Sequence, residues 1–320
     1  MEEPLSGMKD LDDENPLIRP EVIVRAAQLV TAPLRITLGV GARVAAPLRA
    51  DVRRSVRRSL GVPAEPPPRA ERAGEAFLPP GTIARRVHGD LPSMVVGGLA
   101  ALLLQTLHPL AMSGVADHSN YQEDPVGRLR RTAHFVGTTT FGTVAEATQA
   151  IEEVRQVHRH VHGRAPDGRR YSASDPELVT WVHVAEVSSF LAASERYGPN
   201  RFCADERDRY FQETAVVARA LGARWVPETA EEVQSYFAQI KPELHAGSQA
   251  MDARDFLLRG VARRPGDRVL YAGIIAAALT VVPRWARDEL GIPAPPLVDD
   301  VVVVPFARAF CGALRWTLRT

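Results

Sequence analysis

From Gly81 onward almost every stretch of this chain carries helical spacing of apolar residues. Each stretch is punctuated by a proline, a glycine or an N-capping residue where a helix should begin or end. Pro92–Leu107 is followed by His108-Pro109, where a proline must end or kink a helix. Asp124-Pro125 opens a helix to about Phe135, and Thr143–His162 begins with Thr143 and Glu146 in capping-box spacing and stops at Gly163. Ala165–Tyr171 reads as a tight turn. Helices follow from Ser174 to Tyr197 before Gly198-Pro199, over Ala204–Leu221, over Thr229–Ile240 with a second capping-box pattern at Thr229 and Glu232, and in the Asp267–Leu290 region. Strand character is limited to Val301–Val304, too short to found a sheet. The pattern predicts an all-α chain, a single large helical domain with buried apolar helices.

With 320 residues, 45% of them hydrophobic and 24% charged, the chain can bury a sizeable core. Residues 1–80 stand apart: a polar tail to residue 20, an amphipathic helical stretch over Val22–Leu60 interrupted at Pro33 and Pro47, and a proline-rich arm over Pro63–Pro80 with six prolines. The domain proper is expected over 81–293, with 294–320 a C-terminal extension packed on it.

Lys and Arg total 39 against 38 acidic residues, so the net charge of +1 gives no basic surface for nucleic acid. The acidic N-terminus lacks the pattern of a secretory signal, and Cys203 and Cys311 form neither a disulfide framework nor a metal motif; partly buried free thiols and a cytoplasmic setting are expected. The most apolar run, Met94–Leu107, is about 14 residues, short of the roughly 20 that span a bilayer. It reads, like Tyr271–Val282, as a core helix. Val22–Leu48, with Arg25, Arg35 and Arg43, leaves room for a peripheral membrane contact.

The nine histidines carry the chemical information. In a helix His158 and His162 share a face and His160 points away. A zinc-protease helix needs Glu directly after its first His, and residue 159 is Arg. A ferritin-like di-iron site needs two Glu-x-x-His motifs, whereas this chain offers one pair in reverse order, His183-x-x-Glu186. Haem needs only one strong protein ligand, an apolar slot and cations for its propionates. Arg128, Arg130 and Arg131 could supply the cations, or form a solvated helix face; a lone helical His could be the ligand, or a hydrogen-bonded structural residue.

An ordered series of segments adds to this. It runs Leu104-Gln105-Thr106-Leu107-His108-Pro109, Gly114-Val115-Ala116-Asp117-His118-Ser119, Asp124-Pro125 through Arg128-Leu129-Arg130-Arg131-Thr132, Phe141-Gly142, Val154-Arg155-Gln156-Val157-His158, Tyr171-Ser172-Ala173, Trp181-Val182-His183 and Pro283-Arg284-Trp285-Ala286-Arg287. From about His88 to Pro293 the chain resembles the MpaB/latex-clearing-protein (rubber oxygenase) catalytic domain. The resemblance implies an all-α fold around haem b (iron) and oxidative cleavage of carbon–carbon double bonds in isoprenoids by molecular oxygen. The latex-clearing branch carries Arg-x-x-Lys-Thr beside the distal haem face. Arg128, Arg131 and Thr132 match it, with Arg in the Lys position; since Arg stays protonated and ligates poorly, the sixth iron position is expected open or water-filled. The axial ligand implied is His158, with His162 the runner-up. Arg128 and Arg131 would contact the cofactor, and His183 could reach its edge or sit satisfied in the core beside Trp181. His108 and His118 are expected to cap or fix loops, and Leu103, Leu107, Phe135 and Phe141 to line a substrate channel or serve as plain core. The function implied is a haem b-dependent oxygenase acting on an apolar unsaturated lipid or isoprenoid-like substrate. The alternative is a non-catalytic haem- or lipid-binding member of the same family.

Overall fold

The computed structural model describes residues 74–259, 265–293 and 299–318. The expectations for the N-terminal tail, the Val22–Leu60 helix and the first part of the proline-rich arm lie outside these residues.

The fold is all-α. Its axis is a pair of helices, α2 (Leu91–Gln105) and α6 (Pro176–Tyr197), packed along each other. Both are apolar around most of their circumference, the composition of a helix buried on every side. Val96, Leu99, Ala100, Leu103 and Leu104 of α2 and Trp181, Val184, Ala185 and Phe190 of α6 lie in one core cluster. The approach is close because Gly97 has no side chain: a Cβ there would stand 2.9 Å from the Ser189 carbonyl oxygen and 3.0 Å from the Phe190 Cα. These are backbone atoms in mid-helix and cannot step aside. Gly97→Val is expected to cost about 3 kcal/mol, even after the gain of about 0.4 kcal/mol that valine has over glycine in a helix. A loss of stability in urea unfolding of less than half that would contradict the packing.

Short α1 (Ile83–His88) precedes the axis, and α3 (Pro109–His118) leaves it at 106° to α2, turned by Pro109. Then come α4 (Pro125–Phe141) and α5 (Val144–His160), a helical hairpin, and a two-stranded antiparallel hairpin, β1 (His162–Arg164) with β2 (Arg170–Ser172). After α6 follow α7 (Ala204–Leu221), α8 (Ala230–Ile240), α9 (Ser248–Arg259), α10 (Pro265–Leu279), α11 (Arg284–Glu289) and α12 (Val304–Leu318). α10 and α12 pack on the α2–α6 axis and on each other.

Some local expectations are corrected. α4 runs on to Phe141, six residues past Phe135. The turn expected after Ala165 is present, Gly168 N–H donating to the Ala165 carbonyl at 2.9 Å, and it is the tip of a β-hairpin in which Gly163 lies against the Tyr171 ring (a Cβ would be 2.6 Å from its hydroxyl) instead of capping α5. The Asp267–Leu290 region divides into α10 and α11 at Pro283. Val301–Val304 is helical: a π turn, Asp299–Val303, leads into α12. Of the two cysteines, Cys311 is buried and Cys203 is exposed. By length and composition, Asp299–Leu318 could cross a membrane, with 39% of its apolar window buried here.

Candidate functional site

The α4–α5 hairpin carries most of the residues singled out in the sequence, and its closed end is tightly made. Thr143 and Glu146 form a full capping box: the Thr143 hydroxyl accepts from the Glu146 N–H at 3.3 Å, and the Glu146 carboxylate accepts from the Thr143 N–H at 2.8 Å. The segment before α1 is bonded to the same turn, with Phe77 N–H donating to the Gly142 carbonyl at 3.1 Å and Val144 N–H to the Glu75 carbonyl at 2.8 Å. The Arg85 guanidinium stands 5.6 Å from the Phe141 ring centroid.

The open end differs. Counting about 1.5 Å per residue from the turn, Arg128 and His158 both lie about 22 Å along their helices, and so at the same end. The inward stripe of α5 is Ala147, Ile151, Val154 and His158, spaced four, three and four residues apart. The first two are buried and the last two half-buried. His158 is thus on the inner face. Burial lowers its pKa, so the imidazole is neutral at pH 7, and it makes no hydrogen bond among the described residues. Its runner-up, His162, is exposed at the first position of β1, and His160 is exposed with its Nδ1 2.8 Å from the Gln156 carbonyl.

On α4, Asp124 caps the helix by accepting from Gly127 N–H at 2.9 Å. Arg128 is half-buried. Its Nη1 donates to the Ser119 hydroxyl at 2.7 Å and its guanidinium stands 6.0 Å from the Tyr121 ring centroid. Ser119 thereby links the His118-Ser119 segment to the arginine motif. Arg131 turns the other way, 71% exposed and 3.4 Å from the cap carboxylate of Asp124, and Thr132 is exposed.

Neither α4 nor α5 packs closely along α6; α5 leans on α7 instead, where Arg155 donates to the Ala220 carbonyl. The middle of α6 holds Val182, 38% exposed, then His183, which is buried, and Glu186. Burial, with a contribution from Arg219, lowers the His183 pKa to about 4, and burial raises that of Glu186 to about 7. Glu186 itself is half-buried. Glu186 was legible only as half of the His183-x-x-Glu186 spacing.

Near the closed end of the hairpin His88 ties three helices together. Its Nδ1 is 2.8 Å from the Thr140 hydroxyl and its Nε2 2.9 Å from the Tyr210 hydroxyl, with its ring edge-on to Phe190. Burial and the neighbouring His183 hold its pKa near 3. Sequence reasoning gave this residue no role, because its partners are 52 and 122 positions away.

Other expectations are refined. Leu103 and Leu107 are sealed core, at 1% and 0% exposure, and line no channel; Phe135 is half-buried and Phe141 is 40% exposed. His108 stands at the N-cap of α3 without a capping bond; its ring lies 5.9 Å from that of Trp181, and its buried Nδ1 has no partner. His118 packs edge-on to Tyr171, whose hydroxyl donates to Asp117 at 2.5 Å.

Among the described residues no three of His, Cys, Asp and Glu are grouped to hold a metal ion. An iron at His158 would need most of its ligands from a macrocycle. The residues fit such a group: one neutral imidazole with unused nitrogens, a half-buried arginine near the same end and under-covered apolar side chains around them.

A family model described as "ER-bound oxygenase mpaB/B'/Rubber oxygenase, catalytic domain" matches residues 85–316. The match covers the axis and the hairpin, and continues through most of 294–320. No curated protein and no solved structure matches the chain.

Proposed function

Because the chain belongs to the mpaB/rubber-oxygenase catalytic-domain family, we propose that it is a haem b-dependent oxygenase acting on an apolar, unsaturated lipid or isoprenoid-like molecule. The observation that carries this reading is His158: a neutral, unbonded imidazole on the inward stripe of α5. Haem, when bound, supplies the oxygen chemistry; the protein supplies ligation, orientation and a dry site.

In this reading His158 holds the iron. Arg128, fixed by Ser119 and Tyr121, is the better placed of the two arginines to pair with a propionate, because a half-buried charge is less screened than an exposed one. Arg131 and Thr132 would act on the oxygen side, and Arg131 would do so as a permanent cation rather than a ligand. The apolar walls left half-covered, Phe135 and Val154 among them, would accept the hydrocarbon part of the substrate and exclude water. The outward course of Arg131, toward Asp124, favours a second reading, a non-catalytic haem- or lipid-binding protein.

Absorbance spectra of the purified protein, ferric and after dithionite, test the haem. The His158→Ala protein is expected to lose haem occupancy by more than about tenfold, since even partners one shell beyond a metal ligand alter affinity 10–100-fold, while His162→Ala keeps it. A Soret band unchanged in His158→Ala, or a protein still colourless after hemin is supplied, would refute the assignment. Oxygen uptake with unsaturated lipids separates the oxygenase from the carrier.

A further inference from the structure

A cavity of about 270 Å³ lies where the end of α6, the 280–283 link after α10, the start of α11 and the π turn meet. No residue of α4 or α5 lines it. Its wall carries three guanidiniums, those of Arg196, Arg284 and Arg287, against two carboxylates, those of Asp299 and Asp300. The side chain of Arg287 is 6% exposed, and Asp299 accepts only from its Nη1, at 2.6 Å. Its buried Nε has no partner among the described residues. A guanidinium presents its donors as a planar fork that commonly grips an oxyanion with two prongs, as Arg315 grips Asp90 in this protein. An unmade hydrogen bond on a buried donor is costly, so a half-used fork at a cavity marks a place for a further acceptor. Arg196 donates to the Thr280 carbonyl, and its carboxylate partner Asp300 is 68% exposed and 3.3 Å away, a weak hold.

We propose that this cavity binds a phosphate group, free or carried on a lipid, with Arg196, Arg284 and Arg287 as its cationic wall. The inference goes beyond the proposed function and does not depend on haem. The Asp299 carboxylate shows that an oxyanion is accepted against the Arg287 fork. A phosphate group offers more acceptor oxygens and up to two charges where a carboxylate offers one. Its oxygens would take the place of the Asp299 carboxylate, complete the fork and engage the two neighbouring guanidiniums, while Asp299 and Asp300 turn outward. The excess of positive charge on the wall disfavours a metal cation or an ammonium group. The volume is below the roughly 300–1,000 Å³ of sites for drug-sized ligands, and so suits a compact head group. Val301 and Val302, 67% and 48% exposed, come next along the π turn and would lie beside the acyl chains of a lipid whose phosphate sat here.

Calorimetry of the purified full-length protein with inorganic phosphate tests the site. Arg284→Gln is expected to weaken binding about tenfold, the worth of one hydrogen bond to a charged group. Asp300→Asn is expected to tighten it about threefold, because a competing exposed carboxylate is removed. Both residues are exposed, so neither exchange disturbs the core. Flotation with vesicles of phosphatidylcholine, with and without phosphatidic acid, identifies the source of the group. Capture by phosphatidic acid that Arg284→Gln abolishes assigns the site to a lipid head group; phosphate binding without such capture assigns it to a soluble phosphate. No binding of phosphate together with no Arg284-dependent capture, or a phosphate affinity that Arg284→Gln leaves unchanged, would overturn the inference.

Discussion

The Asp90→Ala protein is expected to be about 3–5 kcal/mol less stable than the wild type, the range for stripping one partner from a buried ion pair. Asp90 is 8% exposed and serves two purposes. It caps α2, accepting from Ser93 N–H at 3.3 Å and from the Ser93 hydroxyl at 2.8 Å. It also receives Arg315 of α12 in a two-pronged bond, Nε at 2.6 Å and Nη2 at 2.8 Å, while the same Nη2 donates to the Tyr197 carbonyl at the end of α6. Burial alone would push this carboxyl up, yet the bonds from Arg315 and Ser93 bring it below its ordinary value. With Asp90 gone, α2 loses its cap and the guanidinium is left in a low-dielectric seam with only a carbonyl. Guanidinium chloride unfolding measures the loss, and a change under about 1 kcal/mol would show the pair to be dispensable. Arg315→Leu in the Asp90→Ala background should recover part of it, because the unpaired charge is removed.

The second large effect is on acid stability. His88 and His183 have folded pKa values of about 3 and about 4, against 6.5 when unfolded. Between pH 6.5 and 4 the unfolded chain therefore binds protons that the fold refuses, and stability falls as pH falls. Glu186 works in the opposite sense: its pKa is about 7 in the fold against 4.5 unfolded, so the fold holds a proton that the unfolded chain releases, and lowering the pH from 7 to 4.5 is stabilising. At about 1.4 kcal/mol per pKa unit, two destabilising imidazoles and one stabilising carboxyl leave a net loss on the order of 4 kcal/mol from pH 6.5 to 4. Glu186→Gln removes the compensating group. Its stability should drop by roughly 3 kcal/mol more over the same range, while at pH 8 it should be the more stable protein. Parallel stability–pH curves for the two proteins would mean that Glu186 does not sit in the desolvated surroundings described here.

The sequence carried a good part of this, for identifiable reasons. Capping and stop signals act within one turn, so α5 with its Thr143–Glu146 box, α6 between Pro176 and Gly198, and α7 were readable to within a residue or two. The inward face of His158 follows from its spacing with Ile151 and Val154. The side to which Arg131 turns does not follow, because Asp124 captures it locally and the motif offers no sign of that. The β-hairpin escaped because its strands are three residues each, too short for alternation to register. His88 and Glu186 owe their character to neighbours distant in the chain: Thr140 and Tyr210 for the first, encirclement by other helices for the second. Periodicity says which face a residue occupies, but not whether the space beyond that face is filled.

That last distinction gives the α4–α5 hairpin its significance. Its turn is riveted by the capping box and by the chain before α1, whereas α4 has no buried side chain among those described from Pro125 to Thr138 and α5 none after Ile151. Parting the two helices at the far end would sacrifice little covered apolar surface, and the free energy of such a local opening is correspondingly small beside that of global unfolding. A rigid, plate-like guest could be admitted edgewise through this loosely laid corner while the α2–α6 spine stayed intact. Loading and unloading would then be uncoupled from the melting of the domain.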